Sequence, residues 1–167
     1  MHAPTKSHWA TVKHILRYLK GTSSFGLHLN RGSSLSLHGF TDADWEGSID
    51  DRKSTDGYIV FLGTTPISWK SGKQCIVARS STKAEYKALA DGIAEVFWIR
   101  YMLSDLCFSL SFVTTIWCDN LGATYLSANP VFYARIKHVE VDYYFVHNRV
   151  AKKGDTYSLH TLQRPIR

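Results

Sequence analysis

Two hydrophobic periods run through this chain, and the switches between them mark its elements. Residues 7–20, SHWATVKHILRYLK, place Trp9, Val12, Leu16 and Leu19 at helical spacing, with Lys13, Arg17 and Lys20 among them and Gly21 as a stop. This predicts a basic amphipathic helix. From residue 26 the period shortens to two. Residues 26–30 and 35–44 read as strands around the turn Arg31-Gly32-Ser33-Ser34, and residues 57–62, GYIVFL, form the most apolar strand. A short strand at 67–70, ISWK, follows a turn at 63–66, and residues 75–79 add an extended candidate.

The helical period then returns. Thr82-Lys83-Ala84-Glu85 has the form of a capping box, and Leu89, Ile93, Val96, Ile99 and Leu103 mark one long helix running to Leu106. Residues 112–118, FVTTIWC, read as a buried strand that ends at Asp119-Asn120. A short helix over 121–128 stops before Asn129-Pro130, and a second over 139–151 is ended by Lys152-Lys153-Gly154. Hairpins first and a helix-linked strand later predict a mixed sheet with helices against it, an α/β or α+β domain. No internal repeat or low-complexity segment interrupts it.

Composition narrows the partners. With 167 residues, 44% of them hydrophobic and 20% charged, the chain fits one ordinary domain with a real core. No apolar run approaches the roughly 20 residues of a membrane span. The start, MHAPTKSHW, lacks the apolar stretch of a secretory signal, so no membrane association is expected. Cys75, Cys107 and Cys118 are odd in number and contain no C-x-x-C pair, which predicts neither a zinc site nor a disulfide framework. An intracellular setting is expected, cytoplasmic with the nucleus as the alternative. A net charge of +6 favours a polyanionic partner such as nucleic acid.

Three acids stand apart from the solvated majority. Asp42 lies near the end of a strand, Asp119 directly follows another, and Glu85 sits in the first turn of the long helix, on the face of Leu89, Ile93 and Val96. Each also has a local explanation: Asp42 can open a turn, Glu85 can close a capping box and Asp119 can cap the next helix. Together they suggest three carboxylates brought to one point by two strand ends and a helix start. A divalent cation would relieve their repulsion, and oxygen ligands without His or Cys favour Mg²⁺ or Mn²⁺. Asp44 shares the face of Asp42 but lies further out.

The run DADWEGSIDDRKSTDGYIVFLG (42–63) resembles the ribonuclease H domain of copia-type retrotransposon Pol polyproteins. The resemblance continues through ISWKSGKQ (67–74), SSTKAEYKALADGIAEVFWIRYML (80–103) and WCDNLGATYLSANPVFYARIKHVEVDYYFV (117–146). Upstream, MHAPTKSHWATVKHILRYLKGT (1–22) is similar to the segment that joins reverse transcriptase to ribonuclease H. It implies a connection segment over 1–25, a ribonuclease H-like domain over 26–160 and a divergent tail over 161–167. The implied fold is a five-stranded mixed sheet with helices on both faces. The implied activity is that of an endoribonuclease: two-metal hydrolysis of the RNA strand of an RNA–DNA hybrid during reverse transcription.

Carried over by position, Asp42, Glu85 and Asp119 become the catalytic, metal-holding carboxylates, with Asp42 the residue to bridge two Mg²⁺ or Mn²⁺ ions. Asn120, Ser80 and Gln74 become candidate readers of the 2′-hydroxyl, and Lys70, Lys73, Arg79, Arg135 and Lys137 candidate phosphate contacts. His138 reads as a packing or capping residue, with a proton shuttle as the alternative. The implied partners are the hybrid and the reverse transcriptase domain of the parent polyprotein, within a virus-like particle. Oligomeric state is left open.

The resemblance stops after Gly154. The family continues with a strand and a final helix carrying Ala-Asp-x-x-Thr-Lys, whose aspartate is a fourth metal carboxylate; here the chain reads DTYSLHTLQRPIR. Asp155 and Asp142 are badly placed to substitute. The expectation is a truncated or frame-shifted copy without its last helix and with apolar sheet surface left uncovered, its initial Met lying inside a longer polyprotein. The alternative function is an inactive remnant acting as a nucleic-acid-binding or protein-interaction module.

Overall fold

The computed structural model describes residues 3–29, 34–110, 112–128, 140–150 and 157–161. Its elements are α1 (Lys6–Gly21), β1 (Leu37–Asp44), β2 (Thr55–Leu62), β3 (Thr65–Lys73), α2 (Ser81–Asp105), β4 (Thr114–Cys118), α3 (Leu121–Ala128), α4 (Glu140–Val150) and β5 (Tyr157–Thr161). One five-stranded mixed sheet runs in the order β3-β2-β1-β4-β5. β1, β2 and β3 form an antiparallel meander; β4 lies parallel to β1, and β5 parallel to β4. Parallel neighbours need a crossover, and α2 supplies it between the meander and β4. The mixed α/β sheet is the one expected.

Strand alternation sets the two faces. Leu37, Gly39 and Thr41 are buried in β1, while Asp42 and Asp44 are exposed. The buried set meets α2, where Leu89, Ile93, Val96 and Ile99 are also buried. Ile116 and Cys118 of β4, Ala123 of α3 and Tyr143 and Val146 of α4 complete one continuous core. Fully burying side chains of this size contributes about 1.5–3 kcal/mol each. α2 comes very close to β1: a Cβ added at Gly92 would meet Thr41 Cγ2 at 2.5 Å.

Several expectations are corrected. Among the described residues α2, α3 and α4 share the one core, on a single side of the sheet. Residues 26–29 form no strand, because β2 and β4 already occupy both edges of β1. Phe25, Leu27 and Leu29 are exposed there instead. Residues 75–79 are irregular. Ser80, not Thr82, caps α2, its hydroxyl accepting from the Lys83 amide at 3.4 Å. α1 ends at Gly21 and is capped by Thr22, whose amide donates to the Tyr18 carbonyl at 3.0 Å. Arg135, Lys137, His138 and Asp155 lie outside the described residues.

Candidate active site

The site begins with the parallel pair β1–β4. Thr41 is in register with Cys118, so Asp42, two residues before the end of β1, and Asp119, directly after β4, follow side by side. Both line one cavity of about 410 Å³, together with Phe40, Thr41, Gly57, Tyr58, Ile59 and Lys70. The Lys70 ammonium is held 2.8 Å from the Asp91 carboxylate of α2.

Glu85 approaches from the other side. With Ser80 as the cap it stands one turn inside α2, free of the capping box the sequence suggested. Its side chain turns to the sheet and is only 7% exposed. It lies near Cys118, whose thiol is pushed up to about 11, mainly by burial, with the negative fields of Glu85 and Asp119 adding to it. The Thr41 hydroxyl also hydrogen-bonds this thiol, and both residues are buried on the α2 side of the sheet.

The structure therefore unites two of the three acids in one cavity, and the third is buried in α2 and does not line it. Asp42 follows Thr41 and so projects from the face opposite α2, whereas Glu85 belongs to α2. Among the described residues no group of three His, Cys, Asp or Glu side chains is close enough to form a ready metal cluster. The donors suit a hard divalent cation in type, since two carboxylates and no His or Cys line the cavity. They suit it in number only if Glu85 also reaches the ion.

The remaining sequence candidates are dispersed. The Asn120 amide oxygen accepts from the Ala123 N–H at 3.0 Å, capping α3. Gln74 is buried and donates to the Ala84 carbonyl at 3.0 Å. Lys73 is bound to Ser48 at 2.9 Å and to Asp51 at 3.3 Å. Arg79 and Gln74 line a separate cavity of about 320 Å³ with Lys83, Lys87 and Asp142. Asp142 is held above its usual range, chiefly by burial, and does not line the Asp42–Asp119 cavity. Lys83 and Lys87 were not singled out from sequence; their i, i+4 spacing just after Arg79 was the available signal.

No protein-family model matches the chain. It is 53% identical over 150 residues to the retrovirus-related Pol polyprotein from transposon RE2 of Arabidopsis thaliana, covering 90% of this chain and 10% of that protein. It is 41% identical over 147 residues to the corresponding polyprotein from transposon TNT 1-94 of Nicotiana tabacum, covering 88% of this chain and 11% of that one. The chain belongs to the copia-type retrotransposon Pol family. It spans about a tenth of the length of these Pol polyproteins.

The fold of this Pol segment is that of ribonuclease H. It superposes on the LC11 RNase H1 isolated from compost with a TM-score of 0.55 at 14% identity, over 78% of this chain and 86% of that one. It also superposes on the prototype foamy virus protease-reverse transcriptase with a TM-score of 0.53 at 12% identity, over 81% of this chain and 18% of that one.

Proposed function

We propose that this Pol segment is a ribonuclease H unit that hydrolyses the RNA strand of RNA–DNA hybrids with the help of Mg²⁺ or Mn²⁺. The observation that carries the reading is the side-by-side placement of Asp42 and Asp119 in one cavity, toward the end of β1 and just past β4, with Glu85 buried in α2. Asp42 and Asp119 would hold a divalent cation between them, and Glu85 would reach the same ions from α2. A bound metal in this role polarises the scissile phosphate and makes water a stronger nucleophile. Burial of Glu85 favours its recruitment, since a cation beside it lowers the cost of keeping a carboxylate out of water.

The chain's own groups supply binding and discrimination. Lys70, already in the cavity, and Arg79, Lys83 and Lys87, around the neighbouring one, are cationic positions for the hybrid's phosphates. Recognition of RNA rests on the 2′-hydroxyl and groove shape, for which Asn120 and Ser80, next to the acids in sequence, are the proposed readers. Residues 1–25 are proposed as the connection to the reverse transcriptase of the parent polyprotein, residues 26–160 as the nuclease domain and 161–167 as a tail. The proposed setting is the cytoplasm.

A second reading is supported by the split between Glu85 and the other two acids: a module that holds nucleic acid without cutting it. End-labelled RNA–DNA hybrid, RNA duplex and DNA duplex, each incubated with the chain and Mg²⁺, separate the readings. Cleavage confined to the RNA strand of the hybrid supports the nuclease. Retention of the hybrid with no cleavage supports the module.

A further inference from the structure

Two apolar surfaces have no partner among the described residues, and their charges match. The first is the sheet face opposite α2. Across it runs a single registered row, one residue from each strand: Trp69, Ile59, Phe40, Trp117 and His160. Beside this row the His38 ring stacks on Phe61 at 5.3 Å, and Trp117 packs on His160 at 4.8 Å. Trp69 is 60% exposed. One long side of the row is acidic, bordered by Asp42 and Asp119. Lys73 projects at the same edge but is itself ion-paired with Asp51.

The second surface is α1, which has no buried residue. At 100° per residue, Trp9, Val12, Ile15, Leu16 and Leu19 fall on one stripe, and Trp9, Leu16 and Leu19 are each more than half exposed. Lys6, Lys13 and Lys20, spaced by seven, line one edge of that stripe, and α1 contains no acidic residue. A helix of this length spans roughly 24 Å, and a row over five strands spans roughly 19 Å. Laid along the row, the helix can seat its apolar stripe on the aromatic rings while its lysine edge faces the carboxylates.

We infer that α1 of a second copy of this chain docks on the open sheet face, so that two copies exchange helices in a symmetric dimer. The exchange pairs each exposed stripe with a partly exposed row and leaves the α2 side untouched. The acidic edge attracts the ammonium groups of α1, which favours this helix as the occupant. The docked helix would lie over Phe40 and Ile59 beside Asp42 and Asp119, so the dimer and a bound hybrid would compete for this face, and the test reads association rather than activity.

The test is sedimentation equilibrium of the full 167-residue chain with two single variants, Leu16→Asp in α1 and Trp69→Ser on the face, each checked for native circular dichroism. The wild type is expected to be dimeric at about 100 µM, and each variant alone to dissociate with a constant at least tenfold weaker. An equimolar mixture of the two variants is expected to recover heterodimer, because one retains the face and the other the helix. A monomeric wild type, including one whose α1 folds back on its own sheet, overturns the inference. So does a dimer that Leu16→Asp leaves unchanged, or a mixture that does not associate.

Discussion

Gly92 of α2 lies against Thr41 of β1 so closely that a methyl group on Gly92 would stand 2.5 Å from Thr41 Cγ2 and 3.5 Å from Tyr58 Cβ. This contact sets the depth at which the helix carrying Glu85 rests on the strand carrying Asp42. Gly92→Ala must push the helix out or turn the Thr41 side chain, whose hydroxyl donates to the Trp117 carbonyl at 3.4 Å. A loss of about 1–3 kcal/mol is expected in denaturant unfolding. Gly92→Val is expected to lose more, and an unchanged midpoint for both would show that the approach is looser.

The core makes a sharper stability prediction. Leu89 is fully buried between α2 and the sheet. Leu89→Ala is expected to cost about 2–5 kcal/mol by equilibrium unfolding. Leu16→Ala, on the exposed stripe of α1, is expected to change the stability of the isolated domain by less than about 0.5 kcal/mol.

Thiol reactivity reports the layer beneath the site. Cys75 and Cys107 are exposed, whereas Cys118 is buried with its thiol raised to about 11. Because the thiolate is the reactive form, native protein at pH 8 is expected to release two equivalents of chromophore quickly from a disulfide reagent. The third should follow only on unfolding. Rapid reaction of all three would show that the β4 end is open to solvent.

At the far edge of the sheet, Asp51 is lowered to about 2 by the Ser48 hydroxyl first and by the Lys53 amide and Lys73 as well. A lowered folded-state value means that its contribution to stability is present above pH 3.8 and is lost as pH falls through about 2. Following the Asp51 carboxyl by NMR titration, Ser48→Ala should raise its midpoint more than Lys73→Ala does. The reverse order would make the ammonium the dominant cause.

Much of the fold was legible because its signals are local. The run of Leu89, Ile93 and Val96 announced α2, and the β-branched stretch before Asp119 announced β4. The α2 cap was displaced because Ser80, Ser81 and Thr82 all offer a capping hydroxyl, and sequence cannot choose among three adjacent ones. The strand expected near residue 26 failed for a non-local reason, since whether an alternating stretch pairs depends on a free sheet edge. β5 was expected only from the family resemblance, and its parallel pairing with β4 is a tertiary choice.

The candidate site divides in the same way. Positions at element ends are visible in sequence, so Asp42, Glu85 and Asp119 could be picked out. Which side of the sheet each acid faces depends on strand parity relative to the helix, so the separation of Glu85 from Asp42 could not be read. The aromatic row needed the register of three strand pairs before Phe40, Trp69 and Trp117 could be placed on one line.

The central claim is that Asp42 and Asp119 act together as the metal-holding pair of a nuclease, and the most direct measurement is the Mg²⁺-dependent rate of hybrid cleavage. Wild type, Asp42→Asn, Asp119→Asn and the double variant are compared at equal hybrid occupancy, with Asp44→Asn as the neighbouring control. Each single change of the pair is expected to remove at least about a hundredfold of the rate. The double variant should be no slower than the slower single, as expected for groups that act as a unit. Asp44→Asn should leave the rate within a few-fold of wild type. Cleavage that survives Asp42→Asn and Asp119→Asn at the wild-type rate would contradict the claim.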